Sequence, residues 1–201
     1  VRSSAASDVY KRPIFGPIAP LADGDPDEWI ATLRVNAVAP YLICRAFVGG
    51  LLAAGWGRII NVTTAASLHA PGPLNSAYAT SKVALNQMTR SLASELVGTG
   101  VTANVLHPGE VKTAMWRGIR DRAQTLGDIG APLREWARSV GEYGGDPPDK
   151  AADLALWLTS DAASAVNGRF LWIEGGAQTP IPLDWGMTFA SARDDAEARH
   201  P

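Results

Sequence analysis

Apolar positions switch repeatedly between a helical period and short unbroken runs, and the switches outline the fold. "DPDEWIATLRVNAVAPYLICRAFVGGLLAAG" opens with Asp25 as a helix cap, Pro26 in the first turn and Glu28 completing a capping box. Trp29, Leu33, Val35, Leu42, Phe47 and Leu51 then give broad apolar coverage rather than one narrow stripe. Pro40 interrupts the run and predicts a local kink, since its ring removes an amide hydrogen. "GRIINVT" reads as a short buried strand after a glycine turn. A loop, "TAASLHAPGPLNS", leads to a cap at Asn75 or Ser76. The next helix, "AYATSKVALNQMTRSLASELVG", carries Leu85, Met88, Leu92 and Leu96 at helical spacing. "VTANVLHPG" is a second strand that stops at Pro108 and Gly109. Residues 110–145 mix helix formers with Gly and Pro, "DPPDKAADLALWLTSDAA" restarts a capped helix, and "RFLWIEGG" gives a third strand.

This alternation predicts an α/β layer architecture with a parallel sheet, its strands ordered side by side by right-handed crossovers. The arrangement matches the C-terminal half of a doubly wound parallel-sheet domain, with an open edge at the strand over residues 57–63. We read residues 1–201 as a single, incomplete domain. Residues 1–24 form a loop rich in Ser, Ala and Pro, residues 25–178 the α/β core, and residues 179–201 an irregular tail. A leading stretch of that kind reads as a flexible terminus or as a cut made inside a domain.

Composition narrows the partners. The 201 residues are 46% hydrophobic, enough for a sizeable core, and the net charge of −2 is spread along the chain. With no basic stripe, a nucleic acid or an anionic membrane surface is not an expected partner. The apolar stretches are interrupted short of a membrane span. Cys44 is the one cysteine, which excludes a disulfide framework and a cysteine-based metal site; its expected place is a buried helical position. No secretory pattern opens the chain, and a cytoplasmic location is expected.

Several residues could carry chemistry, and each has an ordinary reading too. Asn36 lies three residues after Leu33, on the side that buries, where its amide either bonds a kinked backbone or fixes a water. Thr63 and Thr64 end the first strand, at the carboxyl edge where open α/β sheets bind ligands. Pro108 and Gly109 end the next strand at the same edge, with Val111 and Thr113 following. Tyr78 and Lys82 are one helical turn apart, a pair equally at home on a solvated face.

The ordered combination is more specific than its parts. It runs from an Asn on a capped helix to a Gly-Arg-Ile-Ile strand ending in hydroxyls. Tyr-x-x-x-Lys then opens a helix, and Pro-Gly-x-Val-x-Thr follows the next strand. This set resembles the single-domain branch of the short-chain dehydrogenase/reductase family, as does "NGRFLWIEGG" near the end, over about residues 25 to 178. The resemblance implies a Rossmann-like sheet carrying NAD or NADP, and hydride transfer between that cofactor and a carbonyl or alcohol substrate. It implies Tyr78 as general acid/base, Lys82 as its activator and a ribose contact, and Asn36 as holder of a water in the proton relay. Thr64 falls where the family has Ser, with Ser67 as the fallback. Pro108, Gly109, Val111 and Thr113 fall on the segment that contacts nicotinamide, together with Tyr78 and Lys82. It also implies a homodimer or homotetramer in which the two long helices pair with a partner's.

A free phenol titrates near 10, too high for a base at neutral pH. An ammonium about 4 Å away is worth about 4 kcal/mol at an effective dielectric near 20, enough to lower the phenol by roughly three units before desolvation opposes it.

Two departures stand beside the resemblance. Thr adds a methyl at the Ser position, and the loop from Thr64 to Tyr78 is one residue longer than the family's common spacing. The glycine-rich turn that grips pyrophosphate, the Asn-Asn-Ala-Gly strand end and the NAD/NADP selector are absent from these residues. The chain alone is therefore expected to bind dinucleotide poorly. One alternative is a truncated or pseudo-oxidoreductase fragment that acts only in association. A nicotinamide-free dehalogenase-like relative is disfavoured, because those carry Arg where Lys82 stands. Residues 110–145 are expected to form a substrate-side lid, with Met115, Trp116, Trp136 and Tyr143 as candidates for an apolar pocket.

Overall fold

The computed structural model describes residues 14–68 and 72–176. The chain runs α1 (Pro26–Leu33), a π-helical turn (Arg34–Val38), α2 (Ala39–Ala54), β1 (Gly57–Val62) and α3 (Ser76–Glu95). It continues through β2 (Val101–His107), α4 (Ala114–Ala123), α5 (Ala131–Glu142), α6 (Pro148–Thr159) and β3 (Phe170–Trp172). Residues 14–24 are irregular, as expected for the part of the leading loop that is described; the expected tail lies outside the described residues.

The three strands are parallel in the order β1-β2-β3. Gly57 pairs with Val101 through to Val62 with Leu106, and Val105 with Phe170 through to His107 with Trp172. All seven residues of β2 are buried, the polar Thr102, Asn104 and His107 among them, as befits a central strand covered on both faces. The sheet is covered on both sides, as successive strand residues show. Ile59, Val48, Leu51 and Leu92 pack against the cluster of Ala93, Leu96, Val101 and Ala103, while Ile60, Leu154, Val166 and Leu171 pack against that of Leu106, Leu158 and Ala163. Helices α2 and α3 therefore lie on one face and α6 on the other, as in a doubly wound layer.

Asp25 caps α1, its Oδ1 accepting from Asp27 N at 2.7 Å and Glu28 N at 3.3 Å. At Pro40 the expected local interruption takes the form of a π turn. The ring removes the donor that the Asn36 carbonyl would meet in an α-helix, and the backbone widens into a π turn closed by Ala39 N on Arg34 O. The helix thus continues through the proline. It runs as one helix over Pro26–Ala54, 29 residues. By length and composition that run could cross a membrane, which corrects the expectation that every apolar stretch stops short of a span. Val38, Tyr41, Leu42, Ile43 and Phe47 on it are exposed, whereas Cys44 is buried as expected.

Helix α3 meets the sheet with a face of small residues. Ala77, Ser81, Leu85, Thr89 and Ala93, each four apart, are buried, and Asn61 Nδ2 of β1 donates to Thr89 Oγ1 at 2.9 Å. Of the leucines and methionine expected inside, Leu85 and Leu96 are buried and Leu92 packs partly against the core. Small side chains let the helix approach the sheet closely, which sets its first turn against the end of β1.

Candidate active site

Tyr78 and Lys82 occupy the first turns of α3, and Thr64 is the second residue beyond β1. Thr64 is extended (φ −151°, ψ 153°), and its hydroxyl accepts from Ala66 N at 3.3 Å while hydrogen-bonding the Tyr78 phenol. Lys82 is buried; its Nζ donates to Val62 O at 3.1 Å and lies 5.7 Å from the centre of the Tyr78 ring. The last carbonyl of β1 thus holds the ammonium on the side of the Tyr78 ring.

Ser67, the other candidate for the hydroxyl beside the tyrosine, is used elsewhere. It donates to Thr64 O at 2.6 Å and accepts from Asn86 Nδ2 at 2.8 Å. Its work is to brace the turn that presents Thr64. The amide of Asn36 is committed as well: Oδ1 accepts from Ile14 N at 3.1 Å, and Nδ2 donates to Ile14 O at 2.7 Å and to Ser81 Oγ at 3.1 Å. Ser81 in turn donates to the Tyr78 carbonyl at 2.7 Å. A water held by Asn36 would therefore be held by its main-chain carbonyl, the one the proline leaves without an α-helical donor.

Charge reverses one expectation. Burial pushes the Tyr78 phenol up to about 12, with the Thr64 hydrogen bond pulling the other way, and burial pushes Lys82 down to about 8. The phenol therefore moves opposite to the expected lowering by Lys82: desolvation is the largest cause at both groups, because both sit where their charged forms lose water. For stability the signs are opposite. Lys82 costs folding free energy below about pH 8, and the cost is relieved as pH rises toward 10.5. Tyr78 favours the folded state up to about pH 10, a gain lost toward pH 12. Urea unfolding should therefore show stability rising by about 3 kcal/mol at most between pH 8 and 10. Lys82→Met should remove that rise, and a rise unchanged in the variant would place its origin in another group.

Pro108 and Gly109 follow β2 at the same carboxyl edge, one strand over from Thr64. Gly109 has φ 80°, and a Cβ there would stand 2.5 Å from Asp146 Oδ2 and press on Ile173. Asp146 is buried and braces the segment twice: its Oδ2 accepts from Glu110 N at 2.9 Å, and its own N donates to Glu110 O at 3.0 Å. Val111 is partly buried and its carbonyl accepts from Thr113 N at 2.8 Å. Thr113 caps α4, its hydroxyl accepting from Trp116 N at 3.2 Å. Three of the lid residues have separate settings. Trp136 Nε1 donates to Glu110 Oε1 at 2.6 Å, Trp116 stacks with Arg120, and Tyr143 stands in solvent.

The fold and the site find their match in one family. A family model described as enoyl-(acyl carrier protein) reductase matches residues 14–178. The chain belongs to the short-chain dehydrogenase/reductase family. Among relatives of this family, protein FixR of Bradyrhizobium diazoefficiens is 37% identical over 150 residues, 75% of this chain and 49% of that protein. A galactitol 2-dehydrogenase (L-tagatose-forming) of Cereibacter sphaeroides is 35% identical over 153 residues, 76% of this chain and 58% of that protein. Among solved structures, a gluconate 5-dehydrogenase from Burkholderia cenocepacia, in complex with NADP and tartrate, superposes with a TM-score of 0.69 at 28% identity. That match covers 86% of this chain and 64% of that one. The chain spans about half the length of the curated relatives it matches.

Three members of the site went unnoticed in the sequence of this dehydrogenase/reductase chain: Ser81, Asp146 and Phe15. Ser81 had a signal, since it shares the helical turn of Tyr78 and precedes Lys82. Asp146 and Phe15 had none, because their partners lie 36 and more residues away in the chain.

Proposed function

We propose that this chain is the catalytic, substrate-side part of an NAD(P)-dependent oxidoreductase acting on a carbonyl or alcohol. The observation that carries the reading is the clustering of the Thr64 hydroxyl, the Tyr78 phenol and the buried Lys82 ammonium, 5.7 Å from the centre of the Tyr78 ring, at the carboxyl edge of the sheet. The donor set fits the nicotinamide-ribose end of a dinucleotide. An ammonium has three hydrogens to donate, and the bond to Val62 O uses one of them for the protein. The Gly109 turn brings bare backbone to the same edge, where a Cβ would collide with Ile173 and Asp146. Lys82 would hold ribose hydroxyls, and Pro108, Gly109, Val111 and Thr113 would border the nicotinamide. Bound there, the dinucleotide would supply or accept hydride.

The chain's own residues manage the proton. With its phenol raised to about 12, Tyr78 is protonated at neutral pH and donates to a carbonyl oxygen as reduction proceeds. Thr64 hydrogen-bonds the same oxygen and favours the phenolate left behind. Lys82, charged below about pH 8, stabilises that phenolate from across the ring. Asn36 offers its main-chain carbonyl to a water that returns the proton. The exposed apolar face of α2 (Val38, Tyr41, Leu42 and Phe47) supports association as a homodimer or homotetramer through α2 and α3. The rival reading, an associating chain without activity, shares that face.

Nicotinamide absorbance separates the two. It is followed with NAD and NADP, against a panel of polyols, hydroxy acids and their ketones, on this chain and on any encoded extension before Val1. Turnover by either form supports the oxidoreductase; saturating dinucleotide binding without turnover on any substrate class supports the inactive associating chain.

A further inference from the structure

Three successive residues of the irregular segment before α1 are each fixed to something different. Ile14 is paired through both its N–H and its carbonyl with the Asn36 amide, at 3.1 and 2.7 Å. Gly16 has φ 77°, and a Cβ at this residue would run into Thr32 Oγ1, so the backbone lies directly against α1 in a conformation that glycine tolerates best. Thr32 is itself held, its hydroxyl donating to Glu28 O at 2.8 Å. Between these two anchors Phe15 has little backbone freedom. Its ring stacks on Tyr78, with centroids 4.8 Å apart and planes 26° from parallel, within the range of roughly 4.5–7 Å at which aromatic pairs attract.

The Asn36 amide serves both rings. Through Ile14 it sets the backbone that carries Phe15, and through Ser81 Oγ it reaches the carbonyl of Tyr78. One side chain therefore registers the irregular segment against the first turn of α3. We propose that Phe15 is a positioning residue for the Tyr78 phenol, seated by the Ile14–Asn36 clasp, and that its ring holds the phenol aimed at the substrate oxygen. The inference rests on reading Tyr78 as the acid/base, but the stacking and its effect on the phenol are measurable without turnover. The same ring shields the phenol from water, in keeping with the direction in which burial moves Tyr78.

The test uses the 201-residue chain with ring-labelled tyrosine, Tyr78→Phe assigning the signal. Stacking should shift the Tyr78 ring resonances upfield. Phe15→Ala should return them toward those of free tyrosine, and Phe15→Trp should keep them shifted. Nitration by tetranitromethane attacks phenolate. Opening the site in Phe15→Ala should therefore raise the rate at Tyr78 by roughly tenfold or more as its pKa falls back toward 10, with Phe15→Trp near the parent rate. If Phe15→Ala does not fold, Phe15→Leu keeps apolar bulk without a ring current and should lose the shift alone. Resonances and nitration unchanged in folded Phe15→Ala or Phe15→Leu would overturn the proposal. In a form that turns over, Phe15→Ala should lower kcat more than it alters KM, with Phe15→Trp restoring it; an unchanged kcat with the stacking lost would also overturn it. Lack of turnover in every form would count against the oxidoreductase reading and leave the resonance and nitration outcomes to decide on Phe15.

Discussion

Replacing Tyr78 by Phe should lower turnover by about 10²–10⁴-fold, the span that a positioned acid/base contributes, while dinucleotide affinity stays near that of the parent. The change removes one oxygen. Phenylalanine keeps the ring that stacks on Phe15 and lies beside Lys82, so the packing of the first turn of α3 is retained. What is lost is the proton and its hydrogen bond with Thr64. The measurement is steady-state reduction, followed by nicotinamide absorbance in whichever form of the protein turns over, with dinucleotide titrated separately by tryptophan fluorescence. Activity within a few-fold of the parent would remove Tyr78 from the role. Loss of binding along with activity would mean that the hydroxyl serves the cofactor more than the substrate.

Gly100→Ala should be among the most destabilising exposed changes in the chain. Gly100 has φ 80°, and a Cβ there would run into the carbonyl of Gly55, which ends α2 in the left-handed region. The Gly100 carbonyl also accepts from Arg58 Nη1 at 3.0 Å, so the loop cannot move away without giving up a bond. The left-handed backbone costs about 1–2 kcal/mol for an alanine. Relieving the clash brings the total to about 3 kcal/mol or more, a fall in Tm of roughly 6–12 °C for a chain of this size. Gly98, two residues earlier at φ 77° with open space around it, is the control. Gly98→Ala should lose only the backbone part. Equal losses at the two positions, read by thermal unfolding, would show that the Gly55 contact is not what makes Gly100 a glycine.

The order of elements was legible because its signals are local. Asp25 and Pro26 announce a helix start within a single turn, and "GRIINV" and "VTANVLH" are short, β-branched runs bounded by glycine or proline, which read as strands. Tyr78 and Lys82 share a helix face by spacing alone, and Thr64 and Pro108 each fall where a strand stops. The family followed from the order of those features, which no single motif carries.

The sequence by itself therefore determined the parallel three-stranded layer, the position of its carboxyl edge and the residues that gather there. Tertiary structure decided everything that depends on a neighbour distant in sequence. It gave the interruption at Pro40 the form of a π turn, through which one helix runs from Pro26 to Ala54. It spent the Asn36 amide on Ile14 and Ser81, chose Thr64 over Ser67 for the phenol, and braced Gly109 with Asp146. It also set the sign of the Tyr78 shift. Coulomb attraction can be reckoned from a spacing, but desolvation sums over every atom that displaces water, and the neighbours of Tyr78 include Phe15 and Thr64, neither of them on α3.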